Sequence, residues 1–458
     1  MANGGAAPVT NWLTRPIGCA VLRGMQSRRE HFPHYSKASN GGHGGLFLRK
    51  RPAELTAFVY TYTRNVLVGL WLLVVVAGGT FGHAQEPSSP SPTQNSDEDK
   101  GTPGQAAVTI RENEFWVPYS QAFPHGLDAL EVYADRPGRH PLAVLTHGTS
   151  PKEEERRTVT PWAQLGQAMW FARRGYVAIV VVRRGYGRSG GQQDSTFGGC
   201  NSRNGTFERV GEASADDLRA VIKYAASLPE VNADTVVSIG VSAGGFAQVA
   251  LSADPPKGLK AAISFAGGRG SDGHEHNCDL GMLVEAFGGF GKGARKHGAL
   301  PMLWIYSQND HWFTPDMARK FDAAYTKEGG VDQFVLAPPD GDDGHHLYGH
   351  TAAWSDTVQA FLKAHDLLPM GDVVLPAPAP PDVPPPAALN DKGLAAWKRF
   401  LAGGPFKAFA TNGSGAFGYS TAGFEQAIAD DKAIDSCKKA AAGNGNCTVV
   451  ATSTGKKQ

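Results

Sequence analysis

The sequence predicts an α/β fold, a mostly parallel central sheet with helices on both faces, followed by a small α+β module. Three observations predict it. Between residues 107 and 370, short β-rich runs such as "PLAVLTHG", "YVAIVVVRRG" and "TVVSIGVS" alternate with stretches of helical length such as "PWAQLGQAMWFARRG" and "GEASADDLRAVIKYAASLPEV", the pattern of βαβ units. The runs are nearly continuous in apolar residues, as strands covered on both faces require. After them "LPAPAPPDVPPPAA", within residues 371–388, is dense enough in proline to form a stiff, extended linker. It sets off a tail, residues 389–458, with its own helix, glycine-punctuated strands, second helix and closing "CTVVA" strand.

Composition excludes little but points away from nucleic acid. The chain has 458 residues, 41% of them hydrophobic, enough for a sizeable core. Lys and Arg total 44 against 43 Asp and Glu, so no overall field favours a polyanionic partner.

Residues 1–84 read as a leader with a signal peptide. Arg64 gives a positive flank, Val66 to Ala77 an apolar run, and "GHA" a small-residue cleavage site before Gln85. The run falls short of the about 20 residues that span a bilayer, so any membrane contact is expected only through the leader, an uncleaved anchor being the alternative. A start downstream, at Met25 for example, is also open. Residues 85–106, "QEPSSPSPTQNSDEDKGTPGQA", are rich in Pro, Ser and acid and are expected to be disordered. Cys19 goes with the leader, leaving Cys200, Cys278, Cys437 and Cys447. An even number in an exported chain suggests disulfides, Cys200 with Cys278 and Cys437 with Cys447, each pair then lying inside one domain. No spacing resembles a zinc site, and no cofactor is implied.

Within the large domain, "AVTIRENEFWVPYS" and "ALEVYADRPG" suggest an antiparallel pair on one edge of the sheet. The strand "TVVSIGVS" then runs into Gly240-Val241-Ser242-Ala243-Gly244, a G-x-S-x-G pattern between strand and helix. Glycines on either side of the serine let the backbones of a sharp turn approach, and the turn lifts the hydroxyl to the sheet edge. Such a nucleophile needs an oxyanion hole, built from the amide after it, here Ala243, and one from an earlier βα loop; in "AVLTHGTSP" Gly148 and Thr149 are placed to supply it. His147 there is expected to pack the loop.

A base and an acid follow in chain order. Asp310 closes "PMLWIYSQND", and "DQFVLAPPDGDDGHHLYGH" offers three histidines. His345 is the chosen base, His346 the runner-up, and His350 a helix-face residue. Asp316 is a weaker acid because "TPDM" reads as a helix start, and Asp340, Asp342 and Asp343 are expected in a solvated turn, a metal site there being the minor alternative. In "VVVRRGYGRSGG", which lacks the GK[ST] of a phosphate loop, Arg184 and Tyr186 are expected to bind substrate. Arg183, Arg156 and Arg157 could line the site mouth and pair with a carboxylate. The loops around Cys200 and Cys278 are expected to run over the site.

With "THGTSP", "RRGYGRSGG", "GVSAGG", "YSQND" and "DGHHLYGH" in this order, the chain resembles the α/β-hydrolase superfamily, and within it the dienelactone-hydrolase-like group, over residues 107–368. That resemblance implies an α/β-hydrolase fold and catalysis by Ser242, His345 and Asp310. Dienelactone hydrolase carries a cysteine nucleophile where this chain has Ser242, which shifts the expected substrate to a small ester or, less readily, a peptide. The tail resembles a small exported domain that begins "FA", continues "GAFGYS" and ends in a Cys-helix-Cys hairpin; a cell-envelope ligand or another protein is its expected partner. An exopeptidase of the same fold, and a non-catalytic exported binding protein acting through the tail, are the competing readings.

Overall fold

Neighbouring residues of the central strands go to opposite cores. Leu142 and Val144 pack in one buried cluster, Ala143 and Leu145 in another. The same period of two sends Val177, Ile179 and Val181 one way and Ala178 and Val180 the other, which is what a strand buried on both faces must do. The computed structural model describes residues 109–453 apart from 198–199, 201–205, 380, 424 and 443–445. The expected leader, the 85–106 linker and Cys19 lie outside them.

The large sheet has eight strands: β1 (Ile110–Val117), β2 (Leu127–Ala134), β3 (His140–Thr146), β4 (Val177–Val181), β5 (Val231–Val241), β6 (Leu259–Phe265), β7 (Met302–Ser307) and β8 (Asp332–Ala337). Their spatial order is β1-β2-β4-β3-β5-β6-β7-β8. β2 runs antiparallel to both its neighbours, and every pairing from β4 to β8 is parallel. Among the described residues seven α-helices belong to this part: α1 (Glu153–Arg157), α2 (Leu165–Ala172), α3 (Phe207–Ala225), α4 (Ala243–Ala253), α5 (Leu280–Lys296), α6 (Pro315–Lys327) and α7 (Thr351–Ala364). Leu218, Phe246, Phe287 and Phe321 bring α3 to α6 onto one face, and Phe171, Trp354 and Phe361 bring α2 and α7 onto the other. This is the α/β-hydrolase fold. Catalytic groups in it gather at the carboxyl ends of the parallel strands.

The C-terminal part is α8 (Asp391–Leu401), β9 (Phe406–Thr411), β10 (Phe417–Gly423), α9 (Gln426–Ala440) and β11 (Thr448–Thr452), with the strands in the antiparallel order β10-β9-β11. Alternation on β9 again feeds two small cores: Ala408 and Ala410 pack with Ala433 and Cys437, and Phe409 packs with Trp397 and Phe400. Disulfides join Cys200 to Cys278 and Cys437 to Cys447, as an oxidising compartment allows. No helix of the described residues is long and apolar enough to cross a membrane.

All described residues fall in one compact unit, Ser96–Gln458. The proline-rich stretch is a strap tied to the large domain: Leu375 N–H donates to the Arg173 carbonyl at 2.8 Å, and Arg173 Nε donates back to the Leu375 carbonyl at 2.5 Å.

Candidate active site

Ser242 stands between β5 and α4 with φ 56° and ψ −120°, a conformation costly for any residue with a side chain. The surroundings hold it there. Its N–H donates to the Phe265 carbonyl at 2.8 Å, and its own carbonyl accepts from Phe246 and Gly268. The glycines are steric requirements: a Cβ at Gly240 would run into the Gly244 carbonyl, one at Gly244 into the carbonyls of His147 and Thr146, and one at Gly245 into that of Phe265. Removing those carbons lets the loop after β3 close on the start of α4. Gly148 consequently lies beside the serine, its would-be Cβ 3.1 Å from Ser242 Cβ and 3.6 Å from Oγ. Ala243 is the first residue of α4, where an amide has no intrahelical acceptor and the helix dipole favours negative charge.

His345 comes from the 3-10 turn Gly344–Gly349 that follows β8. Its Nδ1 lies 3.1 Å from Oδ2 and 3.2 Å from Oδ1 of Asp310. Asp310 is 2% exposed, and its Oδ1 accepts from the amides of Trp312 and Phe313 at 2.8 Å each. The Trp312 indole stacks on the His345 ring, centroids 5.2 Å apart. Asp343 is no solvated-turn residue: its Oδ1 accepts from the amides of His345 and His311 and pins the turn. Asp340 pairs with His350 at the start of α7. Asp316 is exposed in the first turn of α6, capped by Thr314. His346 is exposed and makes no hydrogen bond to a carboxylate among the described residues.

Ser242 opens onto two cavities. The larger, about 970 Å³, is shared with His345, His346 and Trp312; the smaller, about 320 Å³, is bounded by Thr149, Arg156, Arg269 and Cys200.

The glycine-rich turn after β4 behaves otherwise than expected. Arg184 is not at the mouth: it is 4% exposed, its Nε donates to Asp217 Oδ1 at 2.6 Å and its Nη2 to the Ala213 carbonyl. Tyr186 is fully buried, its hydroxyl donating to Asp194 Oδ1 and lying 2.9 Å from Thr149 Oγ1. Neither lines a cavity that Ser242 lines. The reason is the acids beneath, since a buried guanidinium must be paired. Arg183 is likewise wholly buried; it reaches Asp194, Thr146 Oγ1 and the carbonyls of His147 and Gly148. It therefore grips the loop that lies beside the serine. Arg157 is exposed and pairs with Glu153, and Arg156 alone of the four reaches a cavity wall.

Asp194 is the centre of this cluster, meeting Arg183, Arg269, Ser214 and Tyr186. Burial by itself would raise its carboxyl, but the two guanidinium groups and the Ser214 hydroxyl hold it well below the ordinary carboxylate range. In contrast, burial pushes Asp217 up to about 6 against the pull of Arg184. Burial and Arg183 also push His147 well below the ordinary imidazole range, so it stays neutral and its Nε2 accepts the Arg183 amide at 3.0 Å. Sequence reading missed Asp194, Arg269 and Trp312. Trp312, two residues after Asp310, had a local signal; Arg269 reaches the wall of the smaller cavity and pairs with Asp194 from 75 positions along the chain, which no local pattern announces.

Residues 126–300, under half of the chain, match the family model of X-Pro dipeptidyl-peptidases (S15 family). No curated protein matches the sequence. Among solved structures, an esterase of Thermogutta terrifontis is 21% identical, covers 57% of this chain and 96% of its own, with a TM-score of 0.37. An esterase of Pyrococcus furiosus is 15% identical, with 56% and 90% covered and a TM-score of 0.37. A provisionally assigned dienelactone hydrolase of Klebsiella pneumoniae is 19% identical, with 56% and 98% covered and a TM-score of 0.39.

Proposed function

We propose that the chain is a serine hydrolase that cleaves an ester, or less readily an amide, through an acyl-enzyme on Ser242. The observation that carries this reading is the strained Ser242 elbow opening onto the same cleft as His345, whose Nδ1 is held by the buried Asp310. His345 takes the hydroxyl proton as Ser242 Oγ bonds to the acyl carbon, then gives it to the departing alcohol as the ester bond breaks. Water reverses the steps, its proton passing through His345 back to Ser242. Asp310 orients the ring and stabilises the imidazolium. The amides of Ala243 and of Gly148 or Thr149 would receive the oxyanion. Export to the periplasm or medium belongs to the same proposal, supported by the leader-like sequence and the two disulfides.

A peptidase reading is favoured by the S15 match over residues 126–300. Stopped-flow hydrolysis of p-nitrophenyl butyrate, beside an X-Pro p-nitroanilide, separates the two. The ester reading expects a burst of one p-nitrophenol per chain, absent in Ser242→Ala, and little anilide cleavage. Faster turnover of the anilide would favour the peptidase, and no burst with either, together with no covalent phosphonate on Ser242, would count against an acyl-enzyme.

A further inference from the structure

Arg399 and Ala402, from the end of α8 and the turn after it, and Tyr419 and Thr421, from β10, line the same cleft as Ser242 and His345. The C-terminal module is thus a wall of that cleft. Its seat is built into the fold. Gly404 has no Cβ because the Trp162 indole lies there, its N–H donates to the Thr421 carbonyl at 2.8 Å, and Ala422 packs in the same apolar cluster as Trp162. Alternation along β10 turns Tyr419 and Thr421 toward the cleft, while at Gly418 a side chain would strike the backbone of α9. Charge joins the two parts as well: Lys432 and Lys439 of the module act on Glu155, and Lys407 acts on Glu112.

The charges of the cleft are unequally satisfied. Glu155, its lining carboxylate, already accepts from Ser150 Oγ at 2.6 Å and Lys152 Nζ at 2.9 Å, and these bonds hold it below the ordinary carboxylate range. Arg399, on the module wall, is exposed and makes no hydrogen bond or ion pair among the described residues. A guanidinium left open toward a reaction cleft whose lining carboxylate is already paired suits a planar anion that can take two N–H donors at once. We propose that the C-terminal module is the substrate-selecting wall of the Ser242 cleft, and that Arg399 receives a carboxylate carried on the substrate away from the scissile bond. The substrates would then be half-esters of dicarboxylic acids or compounds of that kind. The proposal rests on the serine-hydrolase reading and deepens it. It makes Arg399 a specificity residue and gives the module work at the catalytic cleft.

The test compares two esters on the full chain: p-nitrophenyl butyrate, which is neutral, and mono-p-nitrophenyl glutarate, which ends in a carboxylate. The wild type is expected to have the lower KM for the glutarate. Arg399→Gln should raise the glutarate KM about 10- to 100-fold more than the butyrate KM, as loss of a charged hydrogen bond would. Arg399→Lys should restore part of the preference, and Arg399→Glu should invert it. A variant that merely disturbed the fold would lower both esters together and would not be rescued by lysine. As a check independent of charge, Thr421→Trp, which fills the module wall, should cost the glutarate ester more than the butyrate. If the burst with butyrate persists but the wild type treats both esters alike, or Arg399→Gln shifts both KM values equally, the module proposal falls and the serine reading stands. If neither ester gives a burst and Ser242 takes no covalent phosphonate, the serine reading itself falls.

Discussion

Two glycine-rich turns leave neighbouring parts of the sheet, one after β4 and one after β5, and they treat their polar side chains in opposite ways. After β4 the chain draws Arg183, Arg184 and Tyr186 inward; after β5 it holds Ser242 out over a cleft. Glycines are present in both, so they do not decide the outcome. What decides it is the layer underneath. Asp194 and Asp217 wait below the first turn and take its guanidinium groups, and the Ser214 hydroxyl donates to Asp194. Around Ser242 no acid among the described residues takes that place: Gly244 and Gly245 lie against the carbonyls of His147, Thr146 and Phe265. One turn is a buried ion-pair mount, the other a strained perch. The mount serves the perch, because Arg183 also grips the His147 and Gly148 carbonyls beside the serine.

The comparison breaks most visibly at the perch. Ser242→Ala or His345→Ala is expected to lower kcat for an ester by about 10⁴- to 10⁶-fold while the chain stays folded, read by steady-state hydrolysis beside circular dichroism. A loss below about 10-fold would remove Ser242 from the chemistry. Next comes Asp310→Asn, which keeps the geometry but not the charge. About a 10⁴-fold loss is expected, with His346→Ala losing far less; equal losses would mean that the base was misassigned.

At the mount the effect is on stability. Asp194→Asn leaves Arg183 and Arg269 facing each other without a counter-charge, and should cost about 3–5 kcal/mol in urea unfolding. A neutral result would show that water reaches the cluster. The smallest effects are slopes with pH. Asp194 is held far below its ordinary value near 3.8, so in acid the native state binds fewer protons than the unfolded state. Its contribution is complete above that value and is lost as pH falls through the depressed one. Asp194→Asn should therefore flatten the acid side of the stability curve. Asp217, raised to about 6, has the opposite sign: its contribution is complete below its ordinary value near 3.8 and is lost as pH rises through about 6. Asp217→Asn should remove that decline, checked by urea midpoints from pH 3 to pH 8. Equal slopes for both variants would erase the distinction between the two acids.

The same contrast explains what could be read from the sequence. An elbow is a local steric device, so five consecutive residues can announce Ser242, and loops at successive strand ends carry Asp310 and His345 in chain order. The parallel sheet was legible because "YVAIVV" and "AVLT" are apolar on both faces. Arg184 was not legible, since its carboxylate partner lies 33 residues away on α3, and a basic turn near a site looks the same whether its side chains point in or out. The C-terminal module escaped for a related reason. Proline content describes a strap's stiffness, but the bonds between Leu375 and Arg173 and the fit of Gly404 against Trp162 depend on complementarity between distant segments.

The most direct measurement is covalent labelling of the folded full chain with a fluorophosphonate probe, followed by mass-spectrometric mapping of the modified peptide. The expected result is a single label on Ser242, nearly abolished in His345→Ala and kept in His346→Ala. No label on the folded wild type, label on another residue, or label that survives His345→Ala and is lost with His346→Ala would contradict the assignment of Ser242, His345 and Asp310.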